Sequence, residues 1–113
     1  MSKTLFQKIC DREIPATIVH EDEHCVAFKD VNPTAPAHLL VVPRKPIARL
    51  CDALPEDQAL LGHLMLIAHR VAADAGYGEA FRLVVNNGAA AGQSVFHLHL
   101  HVIAGRPLKW PPG

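Results

Sequence analysis

One stretch, His97-Leu98-His99-Leu100-His101-Val102-Ile103, alternates histidine with an aliphatic residue over three repeats. Successive side chains of a β-strand point to opposite faces. The spacing therefore predicts a strand with His97, His99 and His101 on one face and Leu98, Leu100 and Val102 on the other. A helix, with its period of 3.6, would scatter both sets around its circumference. The aliphatic face requires a covering layer, whereas the imidazoles are expected to line a surface. Neighbouring rings on such a strand start roughly 6.6 Å apart. Imidazoles this close disfavour one another's protonation and titrate as a group near neutral pH. Nucleophilic or acid–base chemistry, metal ligation and an incidental polar face are all open on spacing alone.

The remaining strands are legible around this one. Thr4-Leu5-Phe6-Gln7 fits a capping box, with Thr4 as N-cap and Gln7 reaching back, and opens a short helix that ends before Pro15. Thr17–His20 and Cys25–Phe28 flank Glu21-Asp22-Glu23 as a hairpin. Asp30–Pro36 is a loop stiffened by two prolines, and His38–Pro43 is an apolar, buried strand. His38, where loop becomes strand, reads as structural when taken alone. Arg44–Leu54 is a connector with one helical turn. Pro55-Glu56-Asp57 opens a long helix whose core stripe is Leu60, Leu61, Leu64, Ile67, Ala68, Val71 and Ala72, closed by Gly76 and Gly78. Phe81–Asn86 supplies the last strand before the histidines. His20, His24, His63 and His69 fall outside these patterns and are expected in solvent. The expected fold is α+β, five strands with one long and one short helix, in a single domain over residues 1–113.

The loop Asn87–Ser94 holds two glycines, three alanines and no charge, so its backbone amides are free to face an anion. It delivers Ser94 three residues before His97, which would bring such an anion near the imidazoles.

Composition narrows the partners. Lys plus Arg and Asp plus Glu both number 11, so no charge excess favours nucleic acid or an anionic membrane. No apolar run approaches the roughly 20 residues of a membrane span. The N-terminus lacks the pattern of a signal peptide. Cys10, Cys25 and Cys51 are odd in number and far apart, which reads as reduced thiols in the cytoplasm.

With its flanking residues, the histidine stretch resembles the histidine-triad (HIT) signature. Val84-Val85-Asn86, Gly92-Gln93-Ser94-Val95 and Trp110-Pro111-Pro112-Gly113 are similar to the histidine-triad nucleotide-binding (Hint) branch. The resemblance spans nearly the whole chain. It implies a five-stranded antiparallel sheet joined to a second sheet across a homodimer, with the tail 105–113 reaching toward the partner. It also implies hydrolysis of purine nucleoside phosphoramidates through a nucleotidyl-histidine, yielding a nucleoside monophosphate. His99 would be the nucleophile, and His38, His97 and His101 would orient and protonate. Asn86, Ser94 and backbone amides near Gly92 and Gln93 would hold the phosphate, and Asp30 the ribose. Phe6, Ile9, Phe28, Val31 and Leu40 would form the base slot, for which ordinary core is the alternative. Trp110 would border the partner's leaving-group pocket, unless it packs on its own subunit.

No cofactor is required by this reading, although zinc binding is compatible with the histidines. The rival readings are a zinc-binding or nucleotide-sensing module without turnover, and a dinucleoside polyphosphate hydrolase of the same superfamily. Ala89-Ala90-Ala91, Asn87 and Pro46 depart from the family pattern without removing a catalytic group.

Overall fold

The computed structural model describes residues 2–113. A five-stranded antiparallel sheet in the order β1-β2-β3-β5-β4 forms its spine. Its strands are β1 (Ile18–Glu21), β2 (Cys25–Lys29), β3 (Ala37–Pro43), β4 (Arg82–Val84) and β5 (Leu100–Ala104). The long helix α2 (Gln58–Asp74) covers one face, and the short helix α1 (Leu5–Cys10) packs on the other. The α2 face buries Cys25, Ala27, Leu39, Val41, Leu98, Leu100 and Val102 against Leu64, Ile67, Ala68 and Val71. The α1 face buries Val26, Phe28, Leu40 and Val42 against Phe6, Ile9 and Cys10. Strand β3 lies at the centre and is buried throughout, as its unbroken apolar run requires.

Three local expectations are corrected. The predicted strand over His97–Ile103 begins only at Leu100, so of the three alternating histidines only His101 lies in a strand. Pairing with β3 starts at Val41↔Leu100. Upstream of it, the Leu98 N–H donates to the Ile47 carbonyl at 2.7 Å, which draws the chain away from β3 toward the connector. The long helix is preceded by a 3-10 turn at Pro55–Asp57 and starts properly at Gln58. The Asp57 carboxylate accepts the Leu54 N–H at 2.9 Å and the Lys45 ammonium at 2.6 Å, which holds this turn in place. The capping box at α1 is half formed: Thr4 Oγ1 accepts the Gln7 N–H at 3.0 Å, but the Gln7 amide turns forward to Asp11.

Candidate active site

The two faces expected of the histidine segment survive its departure from strand geometry. Leu98, Leu100 and Val102 enter the core under α2, while the histidine rings turn to the α1 side. They do not, however, line an open surface. His97 has no exposed area, His99 keeps 6%, and only His101 is partly open. The cause is α1, whose Phe6 ring stands 4.9 Å from His99 and 6.4 Å from His97.

Hydrogen bonding fixes the role of each ring nitrogen. A backbone carbonyl only accepts, so an imidazole nitrogen bonded to one must carry the proton. His99 Nδ1 donates to the His97 carbonyl at 2.7 Å. In neutral His99, therefore, Nε2 holds the free lone pair. His97 Nε2 donates to the Pro43 carbonyl at 2.7 Å, and its Nδ1 accepts from Thr4 Oγ1 at 2.9 Å. Both His97 nitrogens are thus committed inside the protein. Of the orientation and protonation expected of His38, His97 and His101 together, these bonds suit His97 to orientation: its ring ties α1 to β3, and its carbonyl accepts from His99.

A second chain of bonds runs through His38. The Thr34 N–H donates to His38 Nδ1 at 3.1 Å. His38 Nε2 must then carry the proton, and it donates to His101 Nδ1 at 2.9 Å. Neutral His101 consequently keeps its proton on Nε2. The His101 and His99 ring centres are 5.0 Å apart. Neither Thr4 nor Thr34 was singled out for this function by sequence; Thr4 gave a signal only as a helix cap.

Burial pushes all three triad rings toward the neutral form. For His97 and His99, burial outweighs the carbonyl bonds that favour protonation. His101 falls to about 4, by burial first and then by the positive potential of His99 and His38. The group near neutral pH is therefore a set of uncharged rings, each held in one tautomer.

Beside the rings lies a cavity of about 490 Å³. Phe6, Ile9, Phe28, Leu40 and Val31 line it together with Asp30 and Ser94. Phe6, Ile9, Phe28 and Leu40 belong to the core as well, so slot and core are one surface seen from two sides. Val31 stands at the rim, 87% exposed. The Asp30 carboxylate accepts the Asn32 N–H at 2.8 Å and lies 3.4 Å from His38 Nε2.

The loop 87–94 is more self-contained than expected. Gly92 N–H donates to the Ala89 carbonyl at 3.0 Å and Gln93 N–H to the Gly88 carbonyl at 3.1 Å. The expectation that amides at Gly92 and Gln93 face an anion is corrected on that ground. The buried Gln93 side chain buttresses the loop, accepting from Gly88 N–H and donating to the Ala48 and Val95 carbonyls. Gly92 closes this turn at φ +99°, a left-handed conformation that residues with a Cβ rarely adopt. The Asn86 amide, just ahead of the loop, and Ser94 at its end are not drawn into this internal bonding.

Asp30, His38 and His101 also bring potential ligand atoms within 4.8 Å of one another. The proton between His38 and His101 would have to leave before a cation entered. Trp110 is 82% exposed; the tail is tied to β4 by Arg82, which donates to the Lys109 carbonyl at 2.9 Å.

The family model described as HIT domain matches residues 11–108. The chain belongs to the HIT domain family. An uncharacterised HIT-like protein from Synechocystis sp. is 64% identical over 110 residues, covering 97% of this chain and 96% of that one. A crystal structure of a HIT family hydrolase from Legionella pneumophila superposes with a TM-score of 0.96 at 45% identity, covering 98% of this HIT chain and all of that one. A HIT family hydrolase from Clostridium thermocellum gives 0.92 at 40% identity, covering 96% of each chain. The five-stranded antiparallel sheet with one long helix is thus the HIT fold.

Proposed function

We propose that this HIT protein is a purine nucleoside phosphoramidase of the Hint branch. It would hydrolyse the P–N bond of adenosine or guanosine 5′-monophosphoramidates. The observation that supports this most is the bond from His99 Nδ1 to the His97 carbonyl, which leaves Nε2 as a free nucleophile. Nε2 attacks the α-phosphorus, the P–N bond to the amine breaks, and the amine departs with an added proton. The new P–N bond to His99 makes its ring cationic, and the His97 carbonyl stabilises that charge through the same hydrogen bond. Water then attacks phosphorus, releasing nucleoside monophosphate and restoring neutral His99.

His101 Nε2–H is the proton donor this reading favours. An anionic phosphoryl group against His101 opposes burial and draws its pKa upward, so substrate itself prepares the acid. His38, held by the Thr34 N–H, orients His101 through its Nε2–H, with the Asp30 carboxylate 3.4 Å from that nitrogen. Asn86 and Ser94 hold the non-bridging oxygens, where charge grows in the transition state. Asp30 takes the ribose hydroxyls, and the cavity of Phe6, Ile9, Phe28, Val31 and Leu40 takes the base.

The active form on this reading is a homodimer in the cytoplasm. Strand β4 has one unpaired edge, and Met65 and Leu66 stand 53% and 71% exposed on α2. Trp110, open on its own subunit, would border the partner's amine pocket.

Turnover of an alkyl- or arylamine phosphoramidate of adenosine monophosphate tests the assignment, with acid-quenched mass spectrometry to find the nucleotidyl adduct on His99. Faster turnover of dinucleoside polyphosphates would favour the superfamily rival. A zinc-dependent fold without turnover would favour the sensing module.

A further inference from the structure

A second cluster of ligating side chains lies on the α2 face of the sheet, at the turn between β1 and β2. Its hub is Asp22 Oδ2, which accepts from His20 Nε2 and from His63 Nε2, each at 2.8 Å, and from the Cys25 thiol at 3.5 Å. Asp22 Oδ1 accepts the backbone N–H groups of His24 at 2.7 Å and Cys25 at 2.9 Å, so the carboxylate is fixed in orientation. The ligand atoms of His20, Asp22 and Cys25 all lie within 4.8 Å of one another. His63 adds a second imidazole nitrogen to the same carboxylate oxygen from α2.

This donor set differs from a surface ion pair in composition and in placement. Two imidazoles, a thiol and a carboxylate converge from β1, the turn, β2 and α2. Cys25 is fully buried, while the side chains of His20, Asp22 and His63 keep 16%, 25% and 32% of their exposure. The cluster thus has a closed floor and one wet side. Tetrahedral zinc, with bonds of about 2.0–2.3 Å, sets its ligand atoms roughly 3.3–3.7 Å apart. His20, Asp22 and Cys25 already approach that spacing, whereas His63, held by Asp22 alone, must swing inward about an ångström or more to complete the tetrahedron.

We propose that His20, Asp22, Cys25 and His63 bind one divalent transition-metal cation of the zinc class, as a structural clamp between the hairpin and α2. Two anionic and two neutral ligands balance the charge of the cation, which suits a half-buried site. The Cys25 thiol gives its proton to solvent as the metal–sulfur bond forms. A thiol that coordinates a divalent cation is deprotonated by it, so binding and proton release are one step. Thiolate and imidazole select zinc or cobalt over magnesium or calcium. Four protein ligands close the shell, which makes the site structural.

The test is titration of the metal-free, reduced protein with cobalt(II), followed by displacement with zinc. One equivalent of cobalt should produce a sulfur-to-cobalt charge-transfer band in the near ultraviolet and the visible absorption of a tetrahedral ion. Zinc should erase both and raise Tm. Cys25→Ser should remove the charge-transfer band, whereas Cys51→Ser should keep it. His20→Gln and His63→Gln, at partly exposed positions that tolerate polar replacement, should each weaken zinc binding at least tenfold. Absence of a thiolate band with cobalt in excess overturns the proposal; this includes cobalt bound only by imidazoles near His101. So does a band that persists in Cys25→Ser, or one unmoved by both histidine variants. None of these readouts involves turnover of a nucleotide, so the result stands apart from the phosphoramidase reading.

Discussion

The Nδ1–H of His99 points at the carbonyl oxygen of His97, two residues earlier, across 2.7 Å. This bond uses the backbone of one histidine to choose the tautomer of the next, and it decides which nitrogen is available for attack.

Replacement of that ring is the most direct consequence. His99→Ala should lower kcat by at least about 10⁴-fold, because it removes the nitrogen that forms the covalent intermediate on this reading. The ring is packed on Phe6 and 6% exposed, so the variant should also lose a few degrees of Tm while remaining folded. Phosphoramidate turnover and thermal unfolding, measured on one preparation, check both. Productive turnover by the variant would contradict the assignment of His99.

Thr4→Val keeps the shape of the side chain and removes its hydroxyl. His97 Nδ1 then loses its donor inside a site with no exposed area, and the Gln7 N–H loses its cap. The expected cost is about 1–3 kcal/mol of stability, read by urea unfolding. A variant as stable as the parent would show that the contact contributes nothing.

Acid should destabilise the protein through its histidines. His97, His99 and His101 all have native pKa values below the unfolded value of 6.5, so the unfolded chain binds more protons below that pH. Their contribution to stability is complete above about 6.5 and is lost as pH falls through the window toward about 4, where His101 titrates. Tm measured from pH 7.5 to 4.5 should fall, and His101→Phe should flatten the slope within that window.

Asp30→Ala should raise KM for adenosine phosphoramidates by about 10- to 100-fold, the loss expected for charged hydrogen bonds to a ribose diol. A 2′,3′-dideoxy substrate should show the same penalty on the parent protein and little further penalty on the variant. Additive losses would place the ribose elsewhere.

Truncation after Arg106 should change the ranking of amine leaving groups more than the affinity for the nucleoside monophosphate. Trp110 is 82% exposed in the single chain, so its removal costs little core. Equal effects on both quantities would give the tail a purely stabilising role.

Much of this architecture is legible in the sequence because burial writes itself as periodicity. The stripe of α2, the apolar run of β3 and the alternation at Leu98, Leu100 and Val102 each name a face and its partner. The limits are equally physical. Alternation reports which way a side chain turns, not whether the backbone pairs, so His97–His99 keep the two faces while leaving the sheet. It is also blind to what lies above a face, and α1 seals rings expected in solvent. Partners of the ring nitrogens are the least legible, since the carbonyls of Pro43 and His97 and the N–H of Thr34 belong to every residue type alike. His63 lies off the helical stripe and so reads as solvated; Asp22, 41 residues away, gives no local sign that it meets it.

The hydroxyl of Thr4 and the ring of His97 are separated by 93 positions along the chain. A polypeptide emerging from the ribosome exposes Thr4 long before the imidazole it braces has been synthesised, and a six-residue helix has no stability of its own in the interval. Competence for chemistry should therefore appear late and abruptly, only after β5 has been released to join the sheet.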